Sequence, residues 1–207
     1  MKHLEISGLY AITPDQTDTK ILLGMTRQAL AGGARLIQYR NKSADRELMC
    51  EQAFLLRRLC RNFNVPLIIN DHLDLAIDVD ADGVHVGEDD VSIAEARLRL
   101  GPKKIIGASC YNCLGLAVQA EKQGVDYVAF GAFFTSVTKP DAVTVSIDFL
   151  CQAKQQLLAP IVVIGGINLT NAEILISHGS DAIAVSNAVF NAQNIQPAAE
   201  QFSQMFC

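Results

Sequence analysis

The chain has 207 residues, 50% of them hydrophobic, which is enough to bury a sizeable core and excludes an intrinsically disordered protein. Its formal net charge of -5 gives no general attraction to nucleic acid or to an anionic membrane, so any phosphate ligand must be held by local groups. No basic N-terminal segment leads into an apolar signal region, and no apolar stretch approaches the roughly 20 residues of a membrane-spanning helix, so we expect a cytoplasmic protein.

Eight short apolar runs alternate with stretches of helical periodicity. Each run stops at polar residues or glycines, a pattern typical of parallel strands whose carboxyl ends carry the ligand-binding groups. We therefore predict eight strands of alternating β and α units. The runs occupy residues 9–13, 36–40, 67–71, 83–87, 105–109, 127–131, 161–166 and 182–186.

Helix signals fill the spaces between these runs. Residues 18–31 place apolar side chains on one face, Ser43 precedes Glu47 at a near-capping distance, and Ser92 can cap a helix that continues to residue 98. Further helices are expected over residues 71–77, 112–123, 146–158, 170–177 and 196–205. The sequence thus predicts an α/β fold, a single-domain (β/α)8 TIM barrel that occupies residues 1–207.

The cysteines and His85 could carry redox or metal-binding chemistry, but ordinary structural roles are the alternative for each of them. The six cysteines are scattered through a chain long enough to fold without cross-links, so we expect reduced thiols. Cys110 and Cys113 form a C-x-x-C pair, but no thioredoxin-like helix start or second ligand pair accompanies them, and ordinary packing is favoured. His85 has no companion histidine at ligand spacing, and filling the barrel interior competes with a chemical role.

The first polar group, Gln38-Tyr39-Arg40-Asn41-Lys42, follows the second predicted strand. Alternation along a strand places Gln38 and Arg40 on one side, and Lys42 extends the same row. A guanidinium fork, a compact ammonium and a neutral amide would suit a diphosphate next to an aromatic heterocycle. A solvated basic strand end is the alternative.

Carboxylates follow the third and fourth predicted strands. Asn70-Asp71 ends one strand, and Glu88, Asp89 and Asp90 follow the next, so the two segments should meet at one rim of the barrel. Beside the basic row they predict a Mg²⁺ site, because magnesium commonly bridges one or two carboxylates to a substrate phosphate. Helix capping by Asp71 and Asp90 is the alternative.

The later strand ends carry hydroxyl groups, glycines and one lysine. Together they predict a second phosphate site, formed partly by backbone N–H groups and separate from the basic row. Glycines that only turn the chain, and a serine that caps the last helix, are the alternatives. A loop over residues 136–146 could close over a ligand. The residues are Ser109, Thr135, Ser136, Thr138, Lys139, Gly165, Gly166, Val185 and Ser186.

Taken together, these segments resemble the thiamine phosphate synthase family. The resemblance spans nearly the whole chain in family order, and its most specific parts are Q-x-R-x-K with N-D, G-V-H-x-G-x-x-D and T-K. The chain departs from the family pattern at Glu88, Thr135 and Ser136, where Gln, Pro and Thr are usual, and none of these changes removes an essential functional type. The matching segments are Tyr10-Ala11-Ile12-Thr13, Gln38-Tyr39-Arg40-Asn41-Lys42, Asn70-Asp71, Asp82-Gly83-Val84-His85-Val86-Gly87 with Asp90, Gly107-Ala108-Ser109, Thr138-Lys139, Gly165-Gly166-Ile167 and Val185-Ser186.

The resemblance implies a transferase that couples hydroxymethylpyrimidine diphosphate to a thiazole phosphate, giving thiamine phosphate and pyrophosphate. It implies Mg²⁺ held by Asp71 and Asp90. The residues implied in catalysis are Arg40, Lys42, Ser109 and Lys139. The pyrimidine diphosphate would contact Gln38, Arg40, Lys42, Asn70, Ser109 and Lys139, and the thiazole phosphate would contact Ser136, Thr138, Gly166, Val185 and Ser186.

Two other functions compete with the synthase. A thiazole tautomerase of the related barrel family would have no diphosphate for Arg40 and Lys42 to hold, and it would have a histidine where Ser109 stands. A non-catalytic binder of thiamine phosphate would not need the carboxylates of Asp71 and Asp90. Small molecules are the expected partners in each case, and neither nucleic acid nor a membrane is.

Overall fold

The computed structural model describes residues 6–135 and 144–206. Within them, eight parallel strands form a closed barrel in chain order, with helices between the strands, so the predicted (β/α)8 TIM barrel is confirmed. The strands are β1 (Gly8–Ile12), β2 (Leu36–Tyr39), β3 (Leu67–Asn70), β4 (Gly83–Val86), β5 (Ile105–Tyr111), β6 (Tyr127–Gly131), β7 (Ile161–Ile164) and β8 (Ala182–Val185). The helices are α1 (Thr19–Ala31), α2 (Arg46–Phe63), α3 (Leu73–Asp78), α4 (Ile93–Leu100), α5 (Leu114–Lys122), α6 (Ile147–Gln156), α7 (Ala172–Ser177), α8 (Asn187–Phe190) and α9 (Ile195–Gln204).

Side-chain alternation along the strands divides the core into two layers. On β1, Leu9 and Ala11 belong to the larger buried cluster that the helices cover, whereas Tyr10 and Ile12 belong to a smaller cluster inside the barrel. Strand β1 closes the barrel against β8, with Leu9 opposite Ile183. Each fully buried aliphatic side chain contributes roughly 1.5–3 kcal/mol, so the two layers together fix which side chains point into the barrel.

Helix capping agrees with the prediction for Ser92 and differs from it for Ser43, and the first residues of two further predicted helices are caps as well. Asp18, Ser92 and Ser146 cap α1, α4 and α6 with their side-chain oxygens. The predicted cap Ser43 is wrong, because Asp45 accepts the hydrogen bond from the Leu48 N–H at 2.9 Å and so starts α2. Asp45 stands three residues before Leu48, which is the spacing that a side-chain N-cap requires.

The fifth strand is longer than the sequence predicts. We expected it to end at Ser109, but β5 continues to Tyr111, with a shift in its pairing to β6 between these two residues. Ser109 therefore lies within the strand, two residues before its end. Ser109 pairs with Ala129 of β6, which helps to hold it in the wall of the barrel.

No disulfide joins the cysteines among the described residues. Cys50, Cys60, Cys110, Cys113 and Cys151 are free, whereas Cys207 lies outside the described residues. Burial raises the pKa of the Cys110 thiol to about 12, which leaves it protonated and a poor nucleophile. Packing is therefore a sufficient role for Cys110.

Candidate active site

The basic row lies where β2 ends at the carboxyl-terminal rim of the barrel. Gln38 points into the barrel, where its Nε2 donates to the Tyr10 hydroxyl at 3.0 Å. Tyr39 points outward and donates to Gln52 at 2.9 Å, and Arg40 is half-buried on the rim. Gln38 and Tyr39 thus alternate as expected, and Arg40 directly follows the end of the strand. Gln38 is only 4% exposed, whereas Arg40 is half-buried and Lys42 is exposed, so a solvated strand end stays an alternative for the two cations.

The end of β1 holds the backbone of this row. The Thr13 hydroxyl accepts from the Arg40 N–H at 2.9 Å and donates to the Arg40 carbonyl at 3.0 Å. Asp15 accepts from the Lys42 N–H at 2.9 Å, and its carboxylate lies 3.5 Å from the Arg40 guanidinium. Asp15 was not among the residues predicted from the sequence. Its only signal is an acidic residue shortly after the first strand, and only the folded loop shows that it meets Lys42.

Asp71 and Asp90 come together beside Lys42. Burial raises the pKa of Asp71, and charge repulsion and a hydrogen bond from Asp90 raise it further, whereas Lys42 and His72 act in the opposite direction. Asp71 stands just after Asn70, which ends β3, and has a left-handed backbone with φ 62°. Two adjacent carboxylates with an ammonium nearby form an oxygen-rich site that a divalent cation would stabilise.

Neither aspartate caps a helix, so the capping alternative is wrong. Ser92 caps α4, while Asp90 accepts from the Gly87 N–H at 2.7 Å. His72 occupies the N-cap position of α3, and no side chain bonds to the first turn of that helix. The carboxylate of Asp71 is therefore left for another role.

Glu88 and Asp89 remain on the surface. Both are exposed, and the Glu88 backbone N–H lies 3.4 Å from the Tyr111 hydroxyl. Among residues 6–135 and 144–206, no three His, Cys, Asp or Glu side chains form a metal-binding group. A cation held by Asp71 and Asp90 would therefore need oxygen atoms from a ligand to complete its coordination.

Ser109 reaches the site from inside the barrel wall. Its hydroxyl lies 2.8 Å from Nε2 of His85, and Nδ1 of His85 lies 2.9 Å from the Tyr127 hydroxyl. His85 thus lies in the barrel interior, and there it contacts the predicted site residue Ser109. Ser109 and Asp90 also line one cavity of about 270 Å³.

Glycines and a short helix form the opposite part of the rim. Gly165 and Gly166 have φ values of 102° and 63°, and a Cβ on Gly166 would come 2.6 Å from the Phe134 carbonyl oxygen. The loop after β7 therefore packs against the chain after β6 more closely than any side chain would allow. Val185 is buried at the end of β8. Ser186 precedes α8, but its side chain makes no capping bond, so that alternative is wrong for its hydroxyl.

The remaining predicted residues lie outside the described part of the chain. They are Ser136, Thr138 and Lys139, and the expected closing loop over residues 136–146 falls mostly in the same segment. No described helix is long and apolar enough to cross a membrane.

Comparison with known proteins gives one consistent result. The thiamine monophosphate synthase family model matches residues 9–189. A thiamine-phosphate synthase from Nitrosospira multiformis is 60% identical over 202 residues, which are 98% of this chain and 86% of the relative. Another from Nitrosomonas eutropha is 56% identical over 100% of this chain and 98% of the relative.

Solved structures agree with these sequence matches. A thiamine phosphate pyrophosphorylase from Pyrococcus furiosus superimposes with a TM-score of 0.87 at 36% identity, covering 98% of this chain and 96% of that one. A 3-hexulose-6-phosphate synthase gives a TM-score of 0.71 at 14% identity, covering 96% and 99% of the two chains. The second likeness reflects the barrel fold alone.

Proposed function

The chain belongs to the thiamine monophosphate synthase family, and on that premise we propose that it transfers an aminopyrimidine-methyl group from hydroxymethylpyrimidine diphosphate to a thiazole phosphate. The products would be thiamine phosphate and pyrophosphate. This makes the protein a transferase of thiamine biosynthesis whose substrates are two small phosphorylated heterocycles.

The observation that carries the proposal is the meeting of Asp71, Asp90 and Lys42 at one rim of the barrel. Beyond the effect of burial, Asp90 raises the pKa of Asp71 and Lys42 lowers it, so both groups lie close enough to Asp71 to act on its carboxylate. Carboxylates beside a cation suit a magnesium-bound diphosphate, because Asp71 and Asp90 would hold the metal and Lys42 would hold phosphate oxygens. A tautomerase acting on a monophosphate would have no use for this pairing.

We propose that Mg²⁺ binds at Asp71 and Asp90 and that Arg40 and Lys42 hold the diphosphate with it. When bound, the metal would neutralise charge on the leaving pyrophosphate. The side chains of Arg40 and Lys42 would also neutralise this charge. Hydrogen bonds to Thr13 and Asp15 already fix the backbone of the two residues. Because the leaving group gains charge as its bond breaks, these contacts would be stronger in the transition state than in the ground state. Asn70, at the end of β3, and Lys139 are proposed to contact the same diphosphate.

Bond making and breaking need no covalent enzyme intermediate. The carbon–oxygen bond to the diphosphate breaks and its electron pair leaves with pyrophosphate, while the electron-rich aminopyrimidine stabilises the positive charge left on carbon. The lone pair of the thiazole nitrogen then forms the new carbon–nitrogen bond. That nitrogen carries no proton, so no general base is required, and positioning with charge stabilisation accounts for the rate.

We propose that the thiazole phosphate binds on the other part of the rim. Gly166 lacks a side chain that would keep a phosphate from the backbone, and Ser186 has a hydroxyl that no helix cap uses. Val185 ends the neighbouring strand, and Ser136 and Thr138 are proposed to complete this subsite. Gln38 and Ser109 would face the pyrimidine between the two phosphate groups. Residues 1–207 would then form one catalytic domain, located in the cytoplasm.

The proposal is tested by incubating purified protein with Mg²⁺ and each substrate alone or both together. Thiamine phosphate should appear only when both substrates are present, and pyrophosphate should not be released from the diphosphate alone at a comparable rate. Isomerisation of a thiazole carboxylate phosphate without coupling would identify a tautomerase instead. Tight binding of thiamine phosphate without turnover would identify a binder.

A further inference from the structure

Five side chains form an unbroken line of hydrogen bonds across the barrel interior. Gln38 Nε2 lies 3.0 Å from the Tyr10 hydroxyl, which lies 2.8 Å from the Tyr127 hydroxyl. The Tyr127 hydroxyl lies 2.9 Å from Nδ1 of His85, and Nε2 of His85 lies 2.8 Å from the Ser109 hydroxyl. The line begins and ends at residues proposed to face the pyrimidine, while its three middle members are buried.

The chemistry of these groups allows only two directions for the line. Each tyrosine has a single hydroxyl hydrogen, and burial raises the pKa of both Tyr10 and Tyr127, so both keep it. A neutral imidazole has one nitrogen that donates and one that accepts. His85 is buried, and its two ring nitrogens bond to the uncharged hydroxyls of Tyr127 and Ser109, so this is the setting of a neutral imidazole. A buried hydroxyl hydrogen left unpaired is unfavourable, so each tyrosine donates one of its two bonds and accepts the other, and all the hydrogen bonds point the same way.

The amide of Gln38 selects one of the two directions. Its Nε2 faces Tyr10 and can only donate, so Tyr10 accepts that bond and gives its own hydrogen to Tyr127. Tyr127 then donates to Nδ1 of His85, which places the ring proton on Nε2 and makes that nitrogen the donor to Ser109. Within this line the hydrogen of the Ser109 hydroxyl has no acceptor. The side-chain carbonyl oxygen of Gln38 likewise receives no hydrogen bond from the described residues.

We propose that Tyr10, Tyr127 and His85 are positioning residues that make Gln38 an acceptor and Ser109 a donor toward the substrate ring. The inference rests on the proposed function, because an aminopyrimidine has the complementary groups: an amino group that donates and ring nitrogens that accept. An oxo analogue presents a carbonyl in place of the amino group and would oppose the Gln38 carbonyl. The line would thus select the amino form, since unpaired buried polar groups disfavour binding.

Removing the Tyr127 hydroxyl should make the orientation of the Gln38 amide independent of the proton position on His85. In Tyr127→Phe, Tyr10 has no acceptor at residue 127. Its hydroxyl can then donate to Oε1 of Gln38 after a 180° flip of the Gln38 amide. His85 loses the donor that fixes its proton on Nε2. Tyr39→Phe is the matched control, because Tyr39 is also buried and also donates one hydrogen bond, to Gln52 at 2.9 Å, but on the outer side of the barrel wall.

The direct test reads the proton position on His85 without any substrate. A two-dimensional ¹H–¹⁵N spectrum of histidine-labelled protein at neutral pH would identify His85 by the signal that is lost in His85→Gln. The wild type and Tyr39→Phe should both show His85 protonated on Nε2 alone, and Tyr127→Phe should show a mixture or the other tautomer. A wild-type His85 protonated on Nδ1, or a tautomer unchanged in Tyr127→Phe, would overturn the proposal.

A kinetic comparison tests the consequence for the substrate. The preference for amino over oxo pyrimidine diphosphate, measured as a ratio of KM values, should fall by about tenfold in Tyr127→Phe and stay within about twofold in Tyr39→Phe. Tyr10→Phe breaks the same line and replaces Tyr127→Phe if that variant does not fold. An unchanged preference in a variant that still makes thiamine phosphate would contradict the inference. A wild type with the expected tautomer but no synthase activity would instead refute the proposed function and leave the hydrogen-bond direction standing.

Discussion

The ring of Tyr127 occupies the space that a side chain at Gly107 would need. A Cβ at Gly107 would lie 2.0 Å from Cζ and 2.3 Å from the hydroxyl oxygen of Tyr127. This contact lets the tyrosine cross the barrel from β6 and reach both Tyr10 and His85. The glycine of β5 is therefore a packing requirement of the interior hydrogen bonds.

Gly107→Ala should lower both stability and activity. The added methyl group has to displace a buried aromatic ring, which costs about 1–3 kcal/mol in the free energy of unfolding. Chemical denaturation would measure the loss. Gly24→Ala is the control, because nothing lies within 4 Å of that position on α1, and a helical alanine there should stabilise by about 0.5–1 kcal/mol. Equal stability of the wild type and Gly107→Ala would show that the ring is not held against this glycine.

Arg40→Ala should remove much of the diphosphate binding. Loss of a guanidinium that meets developing charge should lower kcat/KM for the pyrimidine diphosphate by about 100-fold. Steady-state kinetics at saturating thiazole phosphate would measure the effect. Arg61→Ala is the matched control, because that guanidinium pairs with Asp80 at 2.6 Å near the other end of α2, away from the rim. A loss of similar size in both variants would point to a general electrostatic effect rather than to a diphosphate site.

Asp71→Asn and Asp90→Asn should weaken the response to magnesium. Each variant loses one proposed ligand, so the Mg²⁺ concentration for half-maximal activity should rise at least about tenfold, with partial recovery at high Mg²⁺. Asp89→Asn removes a charge from the same loop at an exposed position and should behave like the wild type. Titration of activity with Mg²⁺ distinguishes the cases. Identical curves for all four proteins would mean that the metal site has been assigned to the wrong residues.

Stability should fall in acid because of His85. Burial lowers the pKa of His85 from 6.5 to about 4, so between these pH values the unfolded chain binds a proton that the folded chain does not. The free energy of unfolding should therefore decrease as pH falls from 6.5 to 4, by roughly 3 kcal/mol from this residue, and this contribution should be constant above pH 6.5. Urea denaturation across this range should show a smaller slope for His85→Gln than for the wild type. His178→Gln, at an exposed histidine, should keep the wild-type slope.

The sequence predicts the barrel well because its signals are local. Apolar runs that stop at residues such as Arg40 and Asp71 mark strand ends, and one face of helical periodicity marks each connection. One kind of error occurs where two residues with capping side chains lie close together, as Ser43 and Asp45 do before α2. Another occurs where an element is as short as the four residues of α8. Boundaries of this kind depend on hydrogen bonds that only the folded chain forms.

The interior of the site was much harder to predict. Tyr10 and Tyr127 are 117 residues apart, and either one alone reads as an ordinary buried aromatic residue. Their meeting depends on the stagger of the strands around the barrel, which no local pattern specifies. Asp15 escaped prediction for a similar reason, since its contact with Lys42 depends on the path of the loop after β1.

The central claim is a magnesium-assisted coupling of two substrates, and a single time course tests it most directly. Purified protein, both substrates and Mg²⁺ are mixed, and pyrophosphate and thiamine phosphate are quantified in the same samples before and after chelation by EDTA. The proposed function predicts equal amounts of the two products, arrest of both by EDTA and recovery when excess Mg²⁺ is added. No product, or product formation that continues unchanged after chelation, would contradict it.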